Sequence, residues 1–285
     1  MTDAEACTRD AALMVRLGIN NIYIGDFDPT GNHDDCFSIF NSVGIYVTVM
    51  LIDIGYLYDR DIDNFYTTER LKEFFQRIDA IKDYENLLGI DVGVLPAHNH
   101  VEDGRIADLQ KMFRVSLKFL GNVSFSRFPQ AFIRDVKEYI HHNSPRPLLV
   151  GASISREITS EDGNITMTPF FLHMSCVVPD EDVSSSAEFV GFYESSFFEL
   201  QSSPSRLESL RRLVDQLVIT AVPTWFSGYG TPEQSSDGES TLQVTNETLQ
   251  ETAMLYNSTN DLVVTSGPLS GGNRFEWYVE FSHAA

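Results

Sequence analysis

Four carboxylates fall near the ends of candidate strands, Asp91, Glu194, Glu233 and Glu276. Carboxylates so placed can act as general acid, general base or nucleophile. A useful pair must meet a tight mutual separation, and Asp91 sits inside its strand, two residues short of the edge. Asp26-Phe-Asp28-Pro-Thr30-Gly31-Asn32 imitates a calcium loop, but its twelfth position is Phe37 where a bidentate Glu is needed. It reads as a strand-to-helix loop with Asn32 or Asp34 near the helix N-terminus. His98-Asn-His100 and His141-His142 pair imidazoles without a third ligand, so no metal is assigned. Gly151-Ala-Ser153 and Ser227-Gly-Tyr-Gly lack the Gly-x-Ser-x-Gly elbow, which argues against a serine nucleophile. Nothing in these patterns asks for a cofactor.

The elements that would position these groups are short β-branched or aromatic runs alternating with helical patterns. Strands are expected over 21–25 (NIYIG), 45–52, 88–95, 148–154, 189–193, 221–227 and 275–281. Leu71, Phe74, Phe75, Ile78, Ile81 and Leu88 recur at spacings of three and four, which predicts a helix over 68–87. Phe128, Phe132, Ile133, Val136 and Ile140 form a second stripe. Helices are also expected over 4–17, 206–218 and, more weakly, 247–256. Strand alternating with helix signals a parallel sheet, and seven strands in 285 residues suit a (β/α)8 barrel better than an open doubly wound sheet. The chain begins in a helix, so the first strand of such a barrel is missing from this reading. No stretch is long enough to separate domains, and residues 1–285 read as one domain.

The chain carries 20 Lys+Arg against 41 Asp+Glu, a net charge of −21, which repels phosphate backbones and anionic headgroups. Nucleic acid is excluded as a partner. No tract approaches the roughly 18 apolar residues of a membrane span. Three cysteines are too few for a disulfide scaffold. Asn122, Asn164, Asn246 and Asn257 each open an Asn-x-Ser/Thr triplet, the glycan acceptor of a secreted protein. The N-terminus shows no basic and apolar leader, so either a signal is absent from this chain or the protein is cytosolic.

The order Asp3-Ala-Glu-Ala-Cys7-Thr-Arg-Asp10, Leu17-Gly-Ile-Asn20, Asp28-Pro-Thr-Gly-Asn-His33-Asp-Asp-Cys36 and Gly44-Ile-Tyr-Val47 resembles the fungal β-1,3-glucanosyltransferases of glycoside hydrolase family 72. The likeness continues at Leu88-Gly89 through Gly93, at Pro223-Thr-Trp-Phe-Ser227-Gly-Tyr229-Gly230, and from Ser270-Gly-Gly272 to Trp277-Tyr278. The resemblance implies a (β/α)8 TIM barrel at the cell wall or cell surface, acting on β-1,3-glucan, without the carbohydrate-binding module or anchor tail of some members. It implies a disulfide between Cys7 and Cys36, and leaves Cys176 free because its family partner is lacking. It also places Tyr193, Trp225, Tyr229 and Trp277 around the sugar cleft.

A retaining glycosyl transfer needs two carboxyl groups roughly 5 Å apart. Where the family carries its acid/base glutamate at the end of the fourth strand, this sequence has Leu95; where it carries its nucleophile in Ser-Glu-Tyr-Gly, it has Gly228. Neither can protonate a leaving oxygen or attack an anomeric carbon. The family's Ile-Arg-Val-Tyr is here Ile22-Tyr23-Ile24-Gly25, and its Asn-x-Tyr-x-Trp-Cys stretch is eroded to about 191–197. Three readings stay open: a non-catalytic relative that binds β-glucan or serves the wall; an active glucanosyltransferase or glycosidase using relocated carboxylates; and a decayed product without function.

Overall fold

A computed structural model describes residues 1–25, 27–51, 67–96, 127–155, 175, 186–194, 222–229, 252, 255–256 and 269–274. Helix α1 covers Ala4–Arg16 and is capped by Asp3, whose Oδ1 accepts the Glu5 and Ala6 amides at 3.0 and 3.1 Å. Strand β1, Asn21–Ile24, leads through the Asp28 turn into helix α2, Asp34–Ser42. There Asp28 Oδ1 accepts both the amide and the hydroxyl of Thr30, and Asn32 Oδ1 accepts the Asp34 amide at 2.9 Å. The would-be calcium loop is thus a side-chain-stapled turn into a helix, as the sequence implies.

Strand β2 is Tyr46–Met50, helix α3 Thr68–Asp79, strand β3 Leu87–Pro96 and helix α4 Arg127–Asn143. Strands β4 (Leu149–Ser155), β5 (Val190–Glu194), β6 (Thr224–Tyr229) and β7 (Gly272–Arg274) follow. Helix α3 ends earlier than the 68–87 expected. The chain tightens at Ile81, whose amide bonds the Ile78 carbonyl three residues back, and then turns toward β3. Ile81 is still buried in the core, at 1% exposure, so its apolar spacing mimicked another helical turn. The expected last strand, 275–281, and the helix over 206–218 lie outside the described residues. Of the weaker helix over 247–256, residues 252, 255 and 256 are described, and all three are helical.

All seven strands are parallel and lie side by side in chain order, the succession of a (β/α)8 barrel. Among the described residues no ladder joins β1 to β7. The two edges are instead tied by a side-chain bond, Asn21 Nδ2 donating to Asn273 Oδ1 at 3.2 Å. Alternation along each strand divides two environments. Val47, Val49, Ile90, Val92, Val150, Ala152, Val190, Phe192 and Phe226 face the helices and share one core with Phe37, Phe74, Ile78, Phe132, Ile133 and Val136. The alternate positions Tyr23, Thr48, Asp91, Ser153 and Trp225 face inward, which makes the barrel interior polar and aromatic.

Two contacts anchor the shell. A Cys7–Cys36 disulfide ties α1 to α2, with Cα atoms 5.4 Å apart and a sequence separation of 29. Asn86 is 3% exposed and its Nδ2 donates to the carbonyls of Phe37 and Ile45 at 3.2 and 3.0 Å, while its own carbonyl accepts the Val47 amide. One side chain thereby joins the first turn of α2 to the residue that leads into β2.

Candidate functional site at the barrel interior

The two positions that the sequence sets against the family's glutamates both lie near strand ends. Leu95 is the penultimate residue of β3, and its backbone pairs in register with Ile154 of β4. Gly228 is the penultimate residue of β6, is buried, and pairs in register with Tyr193 of β5. A bulge just before this pair adds a residue to β6, local irregularity of the kind that re-aims side chains at a barrel rim.

Below that rim lies the one inner carboxyl of the described residues. Asp91 is fully buried, at 0% exposure. The phenol of Tyr23 on β1 donates to Asp91 Oδ2 at 2.8 Å, the Ser153 hydroxyl on β4 donates to the same oxygen, and the Gly93 amide donates to Oδ1 at 2.9 Å. Burial pushes the Asp91 carboxyl up to about 6, against the opposing pull of Ser153, Tyr23 and the Gly93 amide, all of which favour the ion. Three donors already occupy this carboxyl group, which has no exposed surface. The side chain of Glu194 is not described, although its backbone pairs with Tyr229. Glu233 and Glu276 lie outside the described residues.

The four aromatic candidates separate. Tyr193 lies near the end of β5 and is half-buried. Trp225 is the second residue of β6, packed edge-on by Tyr23 with ring centroids 6.2 Å apart at 84° and by Phe189 at 5.4 Å. Its indole Nε1 is buried without a hydrogen-bond partner, as is Ser227 Oγ. Tyr229 is 2% exposed in the core shared with Leu255 and Leu269, its hydroxyl 3.2 Å from Thr252 Oγ1. Trp277 lies outside the described residues, as do Cys176 and the four sequon residues Asn122, Asn164, Asn246 and Asn257.

Crowding shapes the inner wall. A Cβ built on Gly191 of β5 would come within 2.2 Å of Ser153 Oγ, 2.8 Å of Trp225 Nε1 and 2.9 Å of Ser227 Cβ. Glycine here lets three inner side chains converge, a close approach no other residue permits. Sequence reading missed Ser153 and Tyr23 as partners of Asp91. The available signal was an ionisable residue at an inward period-2 position of a parallel strand, where burial demands hydrogen bonds. Among the described residues no group of His, Cys, Asp and Glu could hold a metal ion, and no helix is long and apolar enough to cross a membrane.

Comparison with known proteins agrees with this architecture. The glucanosyltransferase family model of glycoside hydrolase family 72 matches residues 1–114. The 1,3-beta-glucanosyltransferase gel2 of Aspergillus fumigatus is 31% identical over 241 residues, covering 82% of this chain and 43% of the relative. The probable 1,3-beta-glucanosyltransferase GAS3 of Saccharomyces cerevisiae is 29% identical over 242 residues, covering 81% of this chain and 41% of the relative. The chain therefore spans less than half the length of these curated relatives. In fold it matches Saccharomyces cerevisiae Gas2p in complex with laminaripentaose, with a TM-score of 0.62 at 20% identity over 99% of this chain and 53% of that one. On these sequence matches the chain is a member of glycoside hydrolase family 72, the family of the fungal β-1,3-glucanosyltransferases, and the parallel barrel and the Cys7–Cys36 bridge accord with it.

Proposed function

We propose that this chain is a non-catalytic β-1,3-glucan-associated member of its family, acting outside the cell at the wall or cell surface. The observation that carries this reading is the pair of strand ends occupied by Leu95 and Gly228, neither of which has an ionisable group. General acid catalysis and nucleophilic displacement both require one. Asp91 offers no substitute, because three donors already hold its carboxylate in a closed interior. Glucan as ligand is supported by the family and by the laminari-oligosaccharide complex of the fold relative. In this reading Tyr193 and Trp225, which keep part of their surface exposed, contact sugar together with Trp277, and Tyr229 braces the wall behind them.

An extracellular site is supported by the Cys7–Cys36 bridge, since disulfides persist in oxidising compartments. Glycan on at least one of Asn122, Asn164, Asn246 and Asn257 belongs to the same reading. The decisive experiment combines product analysis on reduced laminarin oligosaccharides with a glucan pull-down. Binding without longer or shorter products is expected. Elongated products would overturn the non-catalytic reading and favour relocated carboxylates, and absence of both binding and products would remove glucan as the ligand.

A further inference from the structure

The Asp91 network joins three strands through one carboxyl group, and its geometry has a consequence for the aromatic lining. Two hydroxyls, from Tyr23 and Ser153, converge on the same oxygen, Oδ2, while a backbone amide, from Gly93, holds Oδ1. An amide can only donate, so Oδ1 keeps its role as acceptor. A proton taken up from solvent therefore goes to Oδ2, and the arrangement of two hydroxyl donors on that oxygen is lost. One hydroxyl must turn round and accept from the new O–H.

The two hydroxyls are not equivalent. Ser153 is fully buried on a short side chain, and its backbone amide also favours the Asp91 carboxylate. Tyr23 reaches Asp91 at the end of a long side chain across 68 positions of sequence, is only half-buried, and lies edge-on to Trp225 at 6.2 Å. Tyr23 is thus the partner that can move, and Trp225 is the ring that reports the movement. We propose that Asp91 is a proton-controlled positioning residue: its ionised carboxylate fixes the Tyr23 ring against Trp225, and protonation loosens that aromatic pair.

Among the described residues no other charged side chain lies on the inner face around Asp91. Among the described residues β1 contributes Asn21 and Tyr23, β2 Thr48 and Met50, β4 Gly151 and Ser153, and β6 Trp225 and Ser227. Tyr23 and Tyr193 supply the other titratable groups of these inner strand positions, both phenols. The interaction that sets the carboxyl apart is therefore desolvation opposed by hydrogen bonds, without a neighbouring ion.

The chain has two tryptophans, so Trp277→Phe leaves Trp225 as the single indole. Its emission is followed from pH 4.5 to 8 in the absence of glucan, which keeps the result independent of the functional reading above. The expected outcome is one sigmoidal transition with a midpoint near 6, absent in Asp91→Asn and moved to higher pH in Ser153→Ala. The Ser153 variant loses a donor that favours the ion, so an unmoved midpoint there would overturn the proposal, as would a flat wild-type profile or a transition that survives Asp91→Asn. Should Asp91→Asn fail to fold by circular dichroism, the direction of the Ser153→Ala shift decides alone.

Discussion

The phenolic hydroxyl of Tyr23 donates to Oδ2 of Asp91 at 2.8 Å, joining the first strand of the sheet to the third across the barrel interior. The bond holds a fully buried carboxyl group inside the barrel. An ion buried without a counter-ion persists only when donors replace its water, and here Tyr23, Ser153 and the Gly93 amide do so.

The first prediction concerns pH and stability. Because the fold holds the Asp91 carboxyl above its ordinary value, near 6, folding favours its protonated form. Its contribution is fully present below about pH 4 and is lost as pH rises through about 6. Over that window wild type should lose about 3 kcal/mol relative to Asp91→Asn, about two pKa units of linkage. Urea midpoints of both proteins at several pH values check this, and a difference that stays constant with pH would contradict it.

Disulfide removal should be costly. In the chain-entropy picture, closing a loop of about 30 residues stabilises the fold by about 3–4 kcal/mol, so Cys7→Ala/Cys36→Ala should lower the unfolding free energy by that amount. Thiol counting under denaturing, non-reducing conditions should find one free group, Cys176.

Asn86→Asp should destabilise by more than Asn86→Ala. The alanine leaves the Phe37 and Ile45 carbonyls without their donor, at about 1–3 kcal/mol, whereas the aspartate also sets a carboxylate against two carbonyl oxygens. Chemical denaturation of the two variants at neutral pH gives the order directly.

Gly191→Ala should disturb the inner wall without touching the outer core. Its methyl would lie 2.2 Å from Ser153 Oγ and 2.8 Å from Trp225 Nε1, forcing both aside at a cost of about 1–3 kcal/mol. A fall in melting temperature together with altered Trp225 emission is expected. Unchanged emission would mean that the wall yields elsewhere.

Restoring the two glutamates should not restore the enzyme. Leu95→Glu with Gly228→Glu would supply two carboxyl groups, but Tyr23 and Gly25 stand where the family has the Arg and Tyr that support its site. A carboxylate without its supporting hydrogen bonds is held too loosely for displacement. At buried Gly228 the new carboxyl would also be pushed up by desolvation, which disfavours a nucleophile. Oligosaccharide product analysis of the double variant should show neither hydrolysis nor transfer; activity appearing only there would show that the surrounding site is intact.

What the sequence determined by itself was the alternation of elements. The β-branched and aromatic runs of β1 to β6 and the stripe on α4 are local patterns, legible because residue type marks a strand and a spacing of three to four marks a helix. The matching of Leu95 and Gly228 to the family's glutamates is what the family resemblance implies, and so was the pairing of Cys7 with Cys36, which the structure shows. The length of α3 was misread because Ile81 is buried in a turn, and a spacing rule cannot tell a turn facing the core from another helical turn. Only the tertiary structure decided which carboxylate is held and by what. Tyr23, Asp91 and Ser153 lie on strands far apart in sequence, and they meet because the sheet curls their inward positions toward one axis. The same closure buries Tyr229 and leaves Tyr193 half-open, a distinction that residue type cannot carry because it depends on which side of the sheet each ring turns to.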